Sequence, residues 1–256
     1  CRAKATGARP RKLSLSGADL AGVHLFRTAA DVDAIRPSFA PGAKLVVVGA
    51  GYIGLEVAAV ARQSGLDVCV VETAVRPLAR VTSPEVAGFF LDEHTAQGVR
   101  FVLGGQPALI KGVDQVTGVR LADGTEIPAD IVIAGIGVNP ETTLAQHCNL
   151  PIGNGIVTDR QCRTADPAIF AIGDCAACPW PGHDGPVPPR AQAAHQQASH
   201  LAVQLRRRLA GERIKDWRYR DFGSLVSLGN YSTVGSLMGK LIGRNLFIEG
   251  IFAGLM

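Results

Sequence analysis

Aromatic residues are scarce in this 256-residue chain, at 5%, and none interleaves with a block of basic residues. The net charge is only +4. Together these argue against nucleic acid as a partner. Cysteine is sparse and scattered: six residues, of which only Cys175 and Cys178 form a CxxC. One CxxC without a second pair is not the usual zinc arrangement, so no metal is expected. The pair reads either as reduced thiols of an intracellular protein, the plainer reading, or as a redox disulfide. No apolar run is long enough to span a bilayer, and no signal peptide is recognisable. Arg206–Arg208 form the only tight basic cluster. They end a helical pattern just before Gly211, where their charge faces the macrodipole. The chain opens on Cys1 rather than Met and is read as a fragment. What it holds in quantity is apolar residue, 47% of the total, enough for one large or two ordinary domains.

The most informative stretch is Lys44–Glu72, KLVVVGAGYIGLEVAAVARQSGLDVCVVE. KLVVV is a continuous β-branched run, as in a strand buried on both faces. Gly49, Gly51 and Gly54 follow at GxGxxG spacing. The first permits a sharp turn, the second lets a pyrophosphate approach the backbone, and the third lets the next helix pack close. The N-terminus of that helix offers unpaired N–H groups to an anion. Glu72 closes the second strand, where a carboxylate accepts hydrogen bonds from an adenosine ribose. The alternative is a glycine-rich turn in some other βαβ unit; the strand before, the helix after and the placed acid favour a dinucleotide site. Glu72 also repels a 2′-phosphate, which favours NADH over NADPH, whereas Arg76 and Arg80 pull the other way.

Along the rest of the chain, Ala5–Ala8 looks like a strand end with a tight exit, and Pro10 stops any helix. TAADVDAIRPSF is a helical stretch broken by Pro37. Ser83 and Pro84 open a second helix that Gly98 ends. Asp123-Gly124 marks a hairpin turn. IVIAGIGV reads as another doubly buried strand, ending in Gly135 and Gly137, where a ligand can come close to the backbone. After a Gly-Asn-Gly turn comes the short strand of IFAIGD, with Asp174 directly behind a glycine. That acid is a ligand-holding group or a turn-stabilising one. Residues 179–189 are a Pro/Gly-rich loop. Arg190–Leu209 reads as a helix with the apolar stripe Ala194, Ala198, Leu201, Leu205 and Leu209. Gln192 and Gln196 lie four apart on one side, so their amides can converge on one target. His195 beside them reads as a solvated or structural group. From Asp216 the tail alternates short strands and glycine turns. Its end, with Lys240, Arg244 and Glu249, reads as the start of an amphipathic anchor or as a half-finished core strand.

ATGARP, VVVGAGYIGLE, ADIVIAGIGV and RTADPAIFAIGD in combination resemble the FAD-dependent pyridine nucleotide–disulfide oxidoreductase superfamily. The resemblance implies an α/β fold of the two-dinucleotide-binding-domain flavoprotein type. It would comprise a Rossmann-like NADH domain, a partial FAD domain and a truncated C-terminal β-rich domain. The expected bounds are 1–16 for a remnant of the FAD domain, 17–142 for the NADH domain, 143–211 for a second FAD segment and 212–256 for part of the C-terminal domain. Residues 1 to about 170 resemble oxygenase-coupled ferredoxin reductases. This carries NADH contacts onto Gly49, Gly51, Tyr52, Ile53, Gly54, Glu72 and Arg80. Glu56 falls near the nicotinamide, with Gly135, Ile136 and Gly137 lining its pocket. From about residue 170 the chain resembles type II NADH:quinone dehydrogenases. There Ala191, Gln192 and Gln196 would line a quinone slot. In both branches Thr6, Gly7, Gly173 and Asp174 fall on the FAD side, with Asp174 holding the ribityl chain. No second glycine fingerprint for the AMP half of FAD occurs in the 256 residues.

The expected activity is therefore NADH:acceptor flavoprotein oxidoreduction, with FAD and NADH as cofactors. Glu56, Gln192 and Gln196 are the expected catalytic residues and a quinone the expected acceptor. The alternative is an NADH:ferredoxin reductase with a small electron-transfer protein as partner. A reading of another class is an NAD-binding fragment without catalysis, supported by the single fingerprint. A thiol–disulfide reductase using Cys175 and Cys178 is the weakest reading. The setting implied is cytoplasmic, or the inner face of the cell membrane if a C-terminal extension gives peripheral contact.

Overall fold

KLVVV becomes the central strand of a parallel sheet because its β-branched side chains suit a pleat covered on both faces. The computed structural model describes residues 1–227, 233–237 and 246–249. In chain order come β1 (Arg2–Lys4), β2 (Ala8–Pro10), β3 (Val23–Leu25), α1 (Ala29–Ile35), β4 (Lys44–Val48), α2 (Tyr52–Gln63), β5 (Asp67–Glu72), α3 (Pro84–Ala96) and β6 (Arg100–Leu103). Next are β7 (Pro107–Gly112), β8 (Val116–Leu121), β9 (Glu126–Pro128) and β10 (Ile131–Ala134). Then follow β11 (Val138–Pro140), α4 (Thr143–Gln146), β12 (Ile152–Gly153), β13 (Gly155–Val157), β14 (Ile169–Ala171), β15 (Ala176–Ala177) and α5 (Ala191–Leu209). The last strands are β16 (Gly223–Ser227), β17 (Thr233–Leu237) and β18 (Leu246–Glu249), an antiparallel sheet. The expected anchor around Lys240 and Arg244 lies outside the described residues.

The chain divides into two compact units. One comprises Cys1–Arg9 and Val138–Phe222; the other comprises Pro10–Gly137 and, from Gly223 on, β16–β18.

In the second unit, five parallel strands run in the order β3-β10-β4-β5-β6. The chain moves outward from β4 through α2, β5 and α3 to β6, then returns to the other side of β4 as β10. That reversal makes the carboxyl ends of β4 and β10 the topological switch point, where open α/β sheets bind ligands. Alternate residues of each strand enter different cores. Leu45, Val47, Val68, Val70, Ile131 and Ile133 pack against the helices through Leu55, Ala58, Ala61 and Phe90. Val46, Val48, Cys69, Val71 and Val132 pack against the β7–β9 meander through Ile110, Val119, Leu121 and Ile127. His94 is buried in α3 and spans to α2: its Nε2 lies 3.1 Å from the Leu55 carbonyl oxygen. Ser83 caps α3, and the Asp123-Gly124 turn joins β8 to β9, with Thr125 N–H donating to Asp123 Oδ1 at 2.9 Å. Pro37 does not simply end α1; it sits in a 3₁₀ turn, Arg36–Ser38, that continues from it.

In the first unit β1 pairs in parallel with β14, and β13 lies between β12 and β15. The 179–189 loop is folded on itself. Trp180 stacks on His183 at 3.6 Å, and Val187 N–H donates to the Cys178 carbonyl. The apolar stripe expected on α5 is rotated. Its buried positions are Ala193, Gln197, Leu201 and Gln204, while Ala198 is exposed and Leu209 is 86% exposed. The two glutamines go inward because each carboxamide oxygen meets a backbone N–H: Gly173 for Gln197 and Lys215 for Gln204, both at 2.7 Å. A hydrogen-bonded amide is tolerated in a core that an unpaired one would destabilise.

Candidate functional site

The first cluster stands at the switch point. Gly49 leaves β4 with φ +102°, a conformation that favours glycine, and a Cβ there would sit 2.7 Å from the Gly135 carbonyl oxygen. A Cβ on Gly54 would lie 2.0 Å from the Gly49 carbonyl oxygen, so α2 touches the strand exit backbone to backbone. Gly135, at the end of β10, would bring its Cβ to 3.2 Å from Gly54 Cα. Gly51 differs from these. Its backbone is extended, and a Cβ would meet only the Gly135 oxygen, at 3.8 Å. Nothing among the described residues requires a glycine there, and the space it leaves is open. Gly51 is also the N-cap of α2 and supplies no side-chain acceptor. The first-turn N–H groups beginning at Tyr52 are thus left to an anion.

Glu72 closes the cluster from β5. Its Oε2 accepts from Ala50 N–H at 2.7 Å and its Oε1 from Ala74 N–H at 2.9 Å. The carboxylate thereby clasps the glycine turn; Thr73 Oγ1 also donates to Oε1 at 3.2 Å, so the lone pair left for a further hydroxyl donor is on Oε2. Arg76 is spent on its own loop, donating to the carbonyls of Ala79 and Thr82. Arg80 is exposed. Tyr52 and Ile53 pack their side chains on the helix-side core, and Ile136 packs on the meander side. Gly137 has open space where a Cβ would be. Glu56 projects from the surface of α2. Even so, enough protein surrounds its carboxyl that desolvation raises its pKa above the ordinary value.

The second cluster belongs to the other unit. Thr6 Oγ1 donates to the Glu141 carbonyl at 2.6 Å, and Glu141 N–H donates back to the Gly7 carbonyl at 2.8 Å. Gly173 and Asp174 form a short turn after β14 whose Gly173 N–H is held by Gln197. The Asp174 carboxylate is half-buried and has no hydrogen-bond partner among the described residues. A turn-stabilising aspartate would spend its oxygens on neighbouring N–H groups, as Asp159 and Asp166 do nearby. The fit to a hydroxyl-bearing ligand such as the ribityl chain of FAD rests on that contrast. Ala191 is exposed at the first turn of α5, whose N-cap Arg190 makes no side-chain cap.

Gln192 and Gln196 do share a side of α5, but both amides engage the segment after it. Gln192 accepts from Phe222 N–H at 3.1 Å and donates to Asp221. Gln196 accepts from Arg220 N–H at 3.0 Å and donates to the Arg220 carbonyl at 2.8 Å. The CxxC pair is split as well. Cys175 Sγ donates to backbone carbonyls of Lys4 and Ile172, whereas Cys178 Sγ donates to the Asp159 carbonyl, which also takes the Cys162 N–H. Gln197 and Cys162 were not singled out from the sequence. The only available signal for Gln197 was its i, i+7 spacing to Gln204 on one helix face.

The sequence profile of the pyridine nucleotide-disulphide oxidoreductases matches residues 4–198. The chain belongs to that family. Members are FAD- and NAD(H)-dependent oxidoreductases, in agreement with the cofactors that the motifs implied. Rhodocoxin reductase of Rhodococcus erythropolis is 49% identical over 203 residues, which are 78% of this chain and 48% of that protein. The ferredoxin reductase for the CYP199A2 system of Rhodopseudomonas palustris superposes with a TM-score of 0.83 at 38% identity. That match covers 92% of this chain and 57% of the other. The reductase in the covalent putidaredoxin reductase–putidaredoxin complex superposes with a TM-score of 0.78 at 34% identity, with the same coverage. The chain thus spans about half the length of the curated relatives it matches. These relatives are named as reductases of small electron-transfer proteins, which favours the ferredoxin reductase alternative over the quinone reading. No helix among the described residues is long and apolar enough to cross a membrane.

Proposed function

We propose that this chain carries the nicotinamide-binding part and a portion of the flavin-binding part of an NADH-dependent reductase whose acceptor is a small electron-transfer protein. The observation that carries the reading is the backbone contact among Gly49, Gly54 and Gly135, clasped by Glu72 at the sheet's switch point. Residues 17–142 are assigned to the NADH domain, 1–16 and 143–211 to FAD segments, and 212–256 to part of a C-terminal domain. The chemistry supplied by bound NADH and FAD is hydride transfer between them, followed by electron release to the acceptor. The chain's own residues bind and orient. Gly51 leaves room for the pyrophosphate, and the first-turn N–H groups of α2 face its charge. Glu72 accepts from the adenosine ribose, with Arg80 nearby on the adenosine side. Gly135, Ile136 and Gly137 border the nicotinamide, with Glu56 on α2 beside it. Thr6, Gly7, Gly173 and Asp174 face the flavin side, and the N-terminus of α5 at Ala191 favours negative charge there.

The acceptor assignment departs from the sequence expectation, since the Gln192 and Gln196 amides, meant to line a quinone slot, are hydrogen-bonded to residues 220–222. The test is NADH oxidation by the chain supplemented with FAD, comparing a [2Fe–2S] ferredoxin with a water-soluble quinone. Reduction of ferredoxin supports the proposal; reduction of the quinone alone overturns it. The absence of turnover with either, alongside measurable NADH binding, supports the non-catalytic fragment instead.

A further inference from the structure

Three of the described non-glycine residues hold a left-handed backbone: Leu78, Asn149 and Cys162. Asparagine visits that region readily, and Cys162 closes the tight turn that begins at Asp159. Leu78, at φ +51°, is different. It has a branched apolar side chain, and its backbone lies against the glycine turn that follows β4. Leucine keeps such a conformation only where its surroundings over-determine it.

Those surroundings are explicit. The Leu78 side chain is buried, in the helix-side core that also holds Ala50, Leu55 and Phe90. The Leu78 carbonyl takes the N–H groups of Val81 and Thr82, at 3.0 and 3.2 Å. The Arg76 guanidinium reaches along the same stretch to the Ala79 and Thr82 carbonyls. Just before it, Ala74 is pinned twice: Glu72 takes its N–H, and its carbonyl takes Gly104 N–H at 3.0 Å. With the side chain fixed in the core, φ sets where the Leu78 N–H points. The positive value brings it to the Ala50 carbonyl, at 2.9 Å.

Ala50 is thereby held from both sides. Glu72 takes its N–H at 2.7 Å and Leu78 takes its carbonyl, so the peptide planes before and after its Cα are both fixed. The second plane is the one that bears on a ligand. It is trans, and in a trans peptide the C=O and the N–H point in opposite directions. Fixing the Ala50 carbonyl on Leu78 therefore aims the Gly51 N–H away from Leu78. That N–H donates to no other described residue. A carbonyl that is already accepting also polarises its own peptide, which strengthens the donor at the other end.

We infer that Leu78 is a positioning residue for the pyrophosphate of the dinucleotide: its left-handed backbone N–H holds the Ala50 carbonyl and so presents the Gly51 N–H to the phosphate oxygens. The inference rests on the NADH site proposed above. Arg76 is the brace that keeps the segment, and with it this φ, in place. The ribose end of the ligand depends on Glu72 instead, so the two ends of the site are held by different residues of one loop.

The experiment removes the Leu78 N–H alone, by incorporating leucic acid, the α-hydroxy analogue of leucine, at position 78. The resulting ester cannot donate, and the side chain stays in the core. NADH and ADP-ribose carry the pyrophosphate, whereas adenosine carries only the base and the ribose. Affinity for NADH and for ADP-ribose should fall by a similar factor, roughly three- to tenfold, the weight of one hydrogen bond, with adenosine unchanged. A loop with a structural role only would lower the melting temperature and leave the three affinities in their original ratios. Arg76→Met provides a second route if the ester chain does not fold. It removes the two guanidinium bonds and leaves the Leu78 N–H in the chain. Hydrogen exchange at the Leu78 amide should then be faster, and NADH and ADP-ribose should again lose affinity while adenosine does not. If NADH and ADP-ribose bind the altered chain as they bind the unsubstituted one, or if adenosine loses as much as they do, Leu78 is not a positioning residue. If the unsubstituted chain binds neither NADH nor ADP-ribose, the NADH site itself fails and takes this inference with it.

Discussion

Glu72→Gln is the substitution that best separates a clasp from a simple ribose ligand. Both carboxylate oxygens accept backbone N–H groups, one from Ala50 in the glycine turn and one from Ala74 beyond β5. A carboxamide has one acceptor oxygen and one NH2 group. Either way round, the NH2 group confronts an N–H donor, so the nearly isosteric change is not conservative here. A hydrogen bond to a charged acceptor contributes about 1.5–3 kcal/mol, and the site is half-buried, so the lower figure applies to each of the two. The amide oxygen keeps one of the two bonds; losing the other and leaving its N–H against an NH2 group costs about 3 kcal/mol in all, which for a unit of this size lowers Tm by roughly 6–12 °C. Glu72→Ala should lose a similar amount, because it removes both acceptors but adds no mismatched donor. Calorimetry of both variants, with NADH and NADPH titrations alongside, checks the argument. NADH should bind more weakly in both, and the preference over NADPH should narrow because the repelling charge is gone. If Glu72→Gln melts within about 1 °C of the unsubstituted chain and binds NADH equally well, the clasp does not hold the turn and the reasoning fails.

Gly51→Ala and Gly54→Ala should split stability from binding. The first meets no protein atom closer than 3.8 Å, so its melting should move by less than about 1 kcal/mol while NADH affinity falls tenfold or more. The second drives a Cβ to 2.0 Å from a backbone oxygen and should cost about 2 kcal/mol or more of stability by overpacking, even without ligand. Burial raises the folded-state pKa of Glu56, so folding is favoured by its protonation, and that contribution is lost as pH rises from the ordinary value of 4.5 through the raised one. Glu56→Gln should therefore be more stable than the unsubstituted chain at pH 7, with the gap closing below about pH 4, as pH-dependent melting would show. Gln197→Leu leaves the Gly173 N–H without its acceptor. It should cost about 1–3 kcal/mol and speed exchange at Gly173, measured by thermal melting and hydrogen exchange.

The parallel-sheet core was legible from the sequence because its determinants are local. KLVVV and IVIA are continuous apolar runs, Gly49 and Gly54 sit at fixed spacing, and Ser83-Pro84 starts α3 as such a pair should. The contact of Gly135 with the first glycine turn could be anticipated only as a shared strand end, since the β4–β10 pairing joins segments more than eighty residues apart. Helix α5 was legible as a helix but not in its facing. Its candidate stripe was largely alanine, which buries little area and sets rotation weakly, so hydrogen bonds decided the outcome. The sequence marks Gln192 and Gln196 by their spacing; it offers no sign that residues 220–222 return to occupy them. The Cys175–Cys178 spacing was equally uninformative. A two-residue gap in an irregular turn need not bring thiols together, and Cys178 instead meets the Asp159 turn, which a strand pairing and a separate loop bring beside it.

These α5 contacts assign the helix a role beyond a positive end for a flavin. Its inward amides hold the Gly173 turn and the Lys215 backbone, and its outward amides hold residues 220–222. All four are glutamines, and each carboxamide oxygen accepts one backbone N–H. A glutamine can donate as well as accept, so it can bind irregular backbone at both its N–H and C=O groups, as Gln196 does with Arg220. Glutamate could accept but not donate, and leucine could do neither. The sequence pattern that first suggested an acceptor slot is therefore explained, at Gln192 and Gln196, by the need to hold an irregular segment along a helix. Any acceptor contact at those positions would first have to displace the segment that now uses their hydrogen bonds. That cost weighs against a quinone seated there, and it is independent of the relatives' names.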